Sequence, residues 1–256
     1  MTDITQYILK ISIIVCFCTA VGILAGCGSV FVFNKIPEMW LMTNRTPEKT
    51  PDSLEQQRLK SYPWKWLLSA FFIITSIYVS LYSIKLAVAV VCVVWILTAI
   101  AAADIIYKYI PDFLIMLLAA TAAGCVPFHD TVRTIISGAG VFGGSMYILL
   151  LIRKFVSKGD PMWDEVKFGI ISGMTIGLKG SLIVMPFAIT SALIAAAVKI
   201  KREKARTAMT GTEKKRRYFQ KKEGNNKEYR TFGHYIAIWS IIYMVLLFGR
   251  QSIIIV

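Results

Sequence analysis

The side chains in this sequence best placed to do polar chemistry are carboxylates. Asp104 ends a long apolar run, in the stretch AAADIIYKYIPD at 101–112. A second acidic group, Asp160, Asp164 and Glu165, opens a later apolar run. An ionisable residue at the mouth of a membrane segment is costly and by default marks function. Two carboxylates held close together cannot both ionise cheaply, so they share a proton. The ionised one can activate a water and the protonated one can polarise a peptide carbonyl. Such a pair is the minimum equipment for aspartic peptide hydrolysis and needs neither a metal nor a nucleophilic side chain. Other chemistries are poorly supplied. There are only two histidines, His129 and His234, and no Ser/His/Asp, Cys/His, Walker A or G-x-G-x-x-G pattern. Cys16, Cys18, Cys27, Cys92 and Cys125 form no C-x-x-C pair, so neither a zinc site nor a disulfide framework is indicated. They are expected as small core residues.

The elements that must position these acids are apolar helices. The 256 residues are 56% hydrophobic, and the 17% that are charged fall in blocks between apolar runs. That is the composition of an all-α, polytopic integral membrane protein. A spanning helix takes about 20 apolar residues, and the chain offers about eight candidates: 8–32, 64–82, 86–103, 111–126, 134–152, 161–178, 181–198 and 232–248. The first is too long for a signal peptide and lacks a cleavage site, so a retained helix is expected. It carries Gly22-x-x-x-Gly26, and the sixth carries Gly169, Gly173 and Gly177. Both patterns suit close helix packing. Asp160-Pro161 has the chemistry of a helix start. Asp112, beside Pro111, reads as a first-turn residue, and Lys179-Gly180 as a tight turn between the sixth and seventh spans. A short helix is expected around 53–60.

The formal charge of +14 could suggest nucleic acid, but basic loops retained on the cytosolic side explain it better, and no nucleic-acid partner is expected. Lysine and arginine concentrate after the first span (Lys35, Arg45, Lys49, Arg58, Lys60, Lys65), after the fifth (Arg153, Lys154, Lys158, Lys167) and between Lys199 and Arg230. Alternation puts these loops on one side, the cytosol, with both termini outside. Asp104 and the Asp160–Glu165 group then share the cytosolic face, and His129 lies outside. The stretch 199–230 reads as a solvated cytosolic loop; its sharper reading is contact with anionic headgroups or an assembly partner. Lys108 and Lys167 read as ordinary interface lysines.

These residues resemble a known family, the type IV prepilin peptidases, which are intramembrane aspartic peptidases. The stretch around Asp104, continuing to Ile110-Pro111-Asp112, looks like that family's first catalytic segment, with Asp104 matching the catalytic aspartate. Asp164-Glu165-Val166-Lys167-Phe168-Gly169 resembles the second, usually G-x-G-D followed by Val-Lys. Phe232-Gly233-His234-Tyr235 resembles the closing Phe-Gly-Pro segment. Gly28-Ser29 through Asn34-Lys35-Ile36-Pro37 resembles the end of the first family helix, and Ser61-Tyr62-Pro63 the run into the second. The ordered set covers nearly the whole chain. It implies a first helix and cytosolic loop at 1–63 and a peptidase core at 64–256, with the basic loop at 199–230. The implied substrates are prepilins or pseudopilins, whose short basic leaders are cut at the cytosolic face of the inner membrane.

The chain departs from that pattern twice. Aligning on Val166-Lys167 puts Glu165 where the family has its second aspartate and Asp164 where it has glycine. Three readings follow: Glu165 serves, one methylene longer; the helix start shifts and Asp164 serves; or the chain is a catalytically impaired relative acting as a membrane binding or assembly scaffold. Neighbours on a helix point about 100° apart, so only one of the two acids can face Asp104 well, and register favours Glu165. The loop at 37–61 has no cysteine, so the zinc-stabilised subdomain of many family members is not expected. Peptide cleavage needs no cofactor. The resemblance also brings S-adenosylmethionine-dependent N-methylation of the product, on which the loop residues are silent. A solute transporter would need acids near mid-bilayer and an internal repeat, and neither is evident.

Overall fold

The structure is a computed structural model that describes residues 2–36, 59, 61–107, 109–157, 163–209 and 232–248. The described residues are helical with short connections. In chain order they form α1 (Thr2–Lys35), α2 (Ser61–Ser80), α3 (Ile84–Tyr107), α4 (Asp112–Cys125), α5 (Val132–Ser157), α6 (Trp163–Met209) and α7 (Gly233–Tyr243). A 3-10 turn, Val126–Phe128, follows α4, and a π-helical turn, Met244–Phe248, extends α7. Among the described residues, Ile4–Lys35, Ile84–Tyr107, Val132–Ile152 and Trp163–Val198 are long and apolar enough to cross a membrane, while Asp112–Phe128 and Gly233–Phe248 are shorter apolar helices. Large apolar side chains cover the outside: Leu24, Ile74, Met116 and Ile136 are all exposed. In water such a surface would be an aggregation hazard, whereas against lipid it carries no cost. An all-helical, multi-pass membrane protein accounts for both features.

Lipid tails are as apolar as leucine, so burial alone does not drive helices together in a bilayer, and close packing has to. The glycines supply it. Gly22 and Gly26 let α1 lie against the backbone of Ile73 and Ser69 on α2; a methyl group at Gly22 would come within 2.6 Å of the Ile73 nitrogen. Gly173 of α6 meets Gly138 of α5 backbone to backbone, and a methyl group at Gly169 would come within 2.7 Å of Met146. Polar side chains inside the helices are largely satisfied locally: Ser29, Thr98, Ser145 and Thr175 each donate to the carbonyl four residues back. Helix α3 is the central element, with side chains from Leu86 to Tyr107 buried along its length. Helix α7 packs between α3 and α6.

Helix α6 is broken. Its apolar part has 36 residues, about 54 Å if straight, against a hydrocarbon core of about 30 Å. The break is at Gly177, with φ 71° and ψ −177°. Contacts with α7 show that the chain reverses there. Glu165 bonds Phe232 at the start of α7, Gly180 lies against Tyr243 at its far end, and Ser191 again bonds Trp239 nearer the start. The two arms of α6 therefore run in opposite directions. The turn is not at Lys179-Gly180, as their residue types suggest; both are helical. Gly177 takes the turn because its backbone angles are open essentially to glycine alone. Ser181 seals the corner by donating to the carbonyls of Gly177, at 2.8 Å, and Gly138, at 3.2 Å.

Two of the five cysteines, Cys18 and Cys125, are buried, but Cys16, Cys27 and Cys92 are exposed, contrary to the core role expected of all five. A small, weakly polar side chain is tolerated on an apolar outer face as readily as inside. The expected short helix at 53–60, apart from Leu59, and the Asp160-Pro161 helix start lie outside the described residues.

Replacing Gly177 with alanine is expected to cost about 1–3 kcal/mol, the range for a residue held in a glycine-only conformation. Gly140→Ala, where a methyl group meets nothing within 4 Å, is expected to be neutral or better. Thermal unfolding of the purified protein in detergent measures both; equal melting temperatures would remove the special role of Gly177.

Candidate functional site

The site forms where α3, α6 and α7 end together. Asp104 lies in the last turn of α3, and its side chain is fully buried. Glu165 lies in the first turn of α6 and is 9% exposed. Both are met by the start of α7. The Phe232 main-chain N–H donates to Glu165 Oε1 at 2.7 Å. The His234 main-chain N–H donates to Asp104 Oδ2, also at 2.7 Å. Two residues of chain span at most about 7 Å, so the two carboxyl groups dock on one turn of backbone.

The local sequence explains this arrangement. The first N–H groups of a helix have no partner within it, and the helix dipole favours negative charge there. The N-cap residue of α7, Phe232, has no side-chain acceptor of its own to offer. Acids from two other helices fill that place. Gly233 sits between the two donors, and a methyl group on it would approach Ile110 Cδ1 at 2.5 Å and the Asp104 carboxyl at 3.4 Å. Glycine at this point lets the backbone of α7 settle onto α3.

Asp164, the alternative second acid, is placed differently. It turns toward Lys167, with Nζ 3.5 Å from its Oδ1. Lys167 also reaches Asp112 Oδ1 at 3.1 Å. This is an exposed ion-pair cluster of the kind that contributes little to stability. It gives Lys167 and Asp112 ordinary interfacial roles, and Asp112 is the first residue of α4, as its neighbour Pro111 suggests. Asp104 and Glu165 are therefore brought together, and Asp164 is not.

His234 is the residue that sequence reasoning passes over. Its ring Nδ1 is also 2.7 Å from Asp104 Oδ2. The signal was faint: a histidine next to a glycine at the start of an apolar helix. Asp104 Oδ2 thus has two close nitrogen neighbours, while Asp104 Oδ1 is buried with no hydrogen-bond partner. A buried carboxylate oxygen left alone is costly, so that atom is an unmet acceptor within the site.

The opposite end of the bundle holds a separate polar group. His129 Nε2 lies 3.1 Å from the Thr175 carbonyl oxygen, so that nitrogen carries the proton and donates. Burial holds the His129 ring below the usual imidazole range, against the opposing pull of Thr175 and Asp130. Lys179 pairs with Asp130 at 3.5 Å. This cluster ties the connection before α5 to the Gly177 turn. Among the described residues no three His, Cys, Asp or Glu side chains converge as metal ligands. Lys108, Asp160 and the stretch 210–230 lie outside the described residues. No protein-family model matches the chain, and comparisons with curated proteins and with solved structures find no match.

Removing either acid strips a partner from an N–H at the start of α7. Glu165→Leu and Asp104→Leu are each expected to destabilise the protein by about 1–3 kcal/mol, the cost of an orphaned buried group, and to speed amide exchange at Phe232 and His234 respectively. Asp164→Leu is expected to change neither amide. Hydrogen-exchange mass spectrometry on the three variants checks this; slow exchange at Phe232 in Glu165→Leu would rule out the docking.

Proposed function

We propose that the chain is an intramembrane aspartic endopeptidase that removes the short basic leader of type IV prepilins or pseudopilins. The observation that carries this reading is the meeting of Asp104, Glu165 and the Phe232-Gly233-His234 turn at one point. These are the three segments that resemble the family's two catalytic motifs and its closing motif. They are 67 and 130 residues distant from one another along the chain in the two bonded pairs, yet they share one turn of helix. A charged group buried at a helix mouth and aimed at a common point with a second one has a functional rationale.

Asp104 and Glu165 act as the acid pair. One carboxylate takes a proton from a water; the other, protonated, donates to the oxygen of the scissile carbonyl as it gains negative charge. The proton then passes to the departing amine. Asp104 Oδ1 is the oxygen that meets the water, being the one without a partner. Glu165 stands in for an aspartate with one more methylene, and its docking on the Phe232 N–H sets how far it reaches. The alternative reading, an impaired relative that binds pilin subunits as a scaffold, draws on that same substitution.

The membrane frame follows in the same proposal. Counting the two arms of α6 separately gives eight spans in the cytoplasmic membrane. The carboxylate end faces the cytosol, where a substrate's basic leader lies, and both termini face outward. The basic residues of 199–230 contact anionic headgroups. Peptide cleavage uses no cofactor here, and methyl transfer from S-adenosylmethionine is not part of the proposal.

The test is a cleavage assay with a prepilin of the same organism. Wild type is expected to cut it, and Asp104→Asn and Glu165→Gln to lose about 10²–10⁴-fold, the range for a general acid or base. Asp164→Asn is expected to stay within about twofold, as an exposed ion pair allows. Full activity in Asp104→Asn would refute the proposal. A wild-type protein that binds the prepilin without cutting it would favour the scaffold.

A further inference from the structure

The peptidase mechanism uses two acids and leaves one partly buried titratable neighbour without a task. His234 is 17% exposed at its side chain, against 0% for Asp104. Its ring lies against Tyr235, with centroids 4.0 Å apart, which restricts its rotation. Two of its nitrogens, main-chain N and ring Nδ1, lie 2.7 Å from the same oxygen, Asp104 Oδ2. A carboxyl group held by one hydrogen bond can still swing about its Cβ–Cγ bond. Donors from two directions on one oxygen restrain that rotation, and so decide which oxygen is left over. Here the remaining oxygen is Oδ1, which is buried and unpartnered.

We propose that His234 is a positioning residue for Asp104. Its main chain and ring together hold Oδ2, so that Oδ1 is always the oxygen presented to the reacting water. The ring does this as a donor, with the proton on Nδ1. Its effect on the reaction passes through Asp104. The inference rests on the peptidase reading for its catalytic consequence, but the pairing itself does not.

Two variants and two readouts test it. Asparagine places an amide nitrogen the same number of bonds from Cα as Nδ1 and can donate to Oδ2; alanine cannot. With a prepilin as substrate, His234→Ala is expected to lower kcat by about 10–100-fold, the scale of a small misplacement of a reacting group, and to leave KM nearly unchanged. His234→Asn is expected to recover most of that loss. A purely packing role would instead make both variants equally poor, or would change KM, and either result overturns the proposal. So does an alanine variant with wild-type kcat. The second readout needs no activity: thermal unfolding of wild type, His234→Ala, Asp104→Leu and the double variant in detergent. Paired residues couple, so the double variant is expected to lose less than the sum of the single losses, by roughly 2–4 °C for a chain of this size. Additive losses overturn the pairing. Coupling in a protein that cuts no prepilin would retire the peptidase reading and leave His234 as the residue that orients Asp104.

Discussion

Everything at the working end of this bundle depends on the first turn of α7 offering its unpaired N–H groups to carboxylates. A carboxyl group as deeply buried as Asp104 is costly unless its oxygens find donors. A helix start supplies them, with a favourable dipole. Glu165 uses the same turn through Phe232. One short stretch of backbone thus satisfies two acids from different helices and sets their spacing. Neither acid has to find the other; each finds α7.

The rest of the fold serves that turn. α7 can reach both acids only if it lies between α3 and α6, and only if α6 doubles back. Gly177 allows the reversal, and Gly138 and Gly173 let the first arm of α6 lie close against α5. Gly22 and Gly26 do the corresponding work for α1 and α2. These contacts are backbone to backbone, which suits a medium in which apolar side chains gain nothing by leaving the lipid. At the far end, His129 and the Asp130–Lys179 pair brace the Gly177 corner. The path from glycine spacing to helix contact to acid placement is continuous.

Much of this was legible from the residues. Hydropathy located the apolar part of each long helix, but 199–209, read as the start of a basic loop, continues α6 as helix to Met209; the lone acid at the end of α3 marked itself by its cost. Spacing arguments also anticipated the close contacts at Gly22, Gly26, Gly169 and Gly173, though Gly177, read with them as a packing glycine, is the turn instead. Most of what stayed hidden depends on backbone geometry rather than residue type. Lys179-Gly180 has turn chemistry, yet Gly177 turns, because the packing against Gly138 and the bond from Ser181 fix the corner there. Asp164 and Glu165 are adjacent acids, and only the direction of each on the helix separates an exposed ion pair from a docked carboxyl. The role of His234 depends on where α7 begins, which a run of apolar residues does not reveal. Cys16, Cys27 and Cys92 face outward because in a membrane the outer face is apolar too.

The central claim is that Asp104 and Glu165 work as one unit on a shared turn of α7. The most direct measurement is a double-mutant cycle on cleavage, comparing Asp104→Asn, Glu165→Gln and the two combined. Groups that act as a unit are strongly non-additive, because losing either one already disables both. The expected result is a double variant no slower than the slower single variant. A double variant slowed by the product of the two single losses would mean that the acids act independently, and would contradict the account.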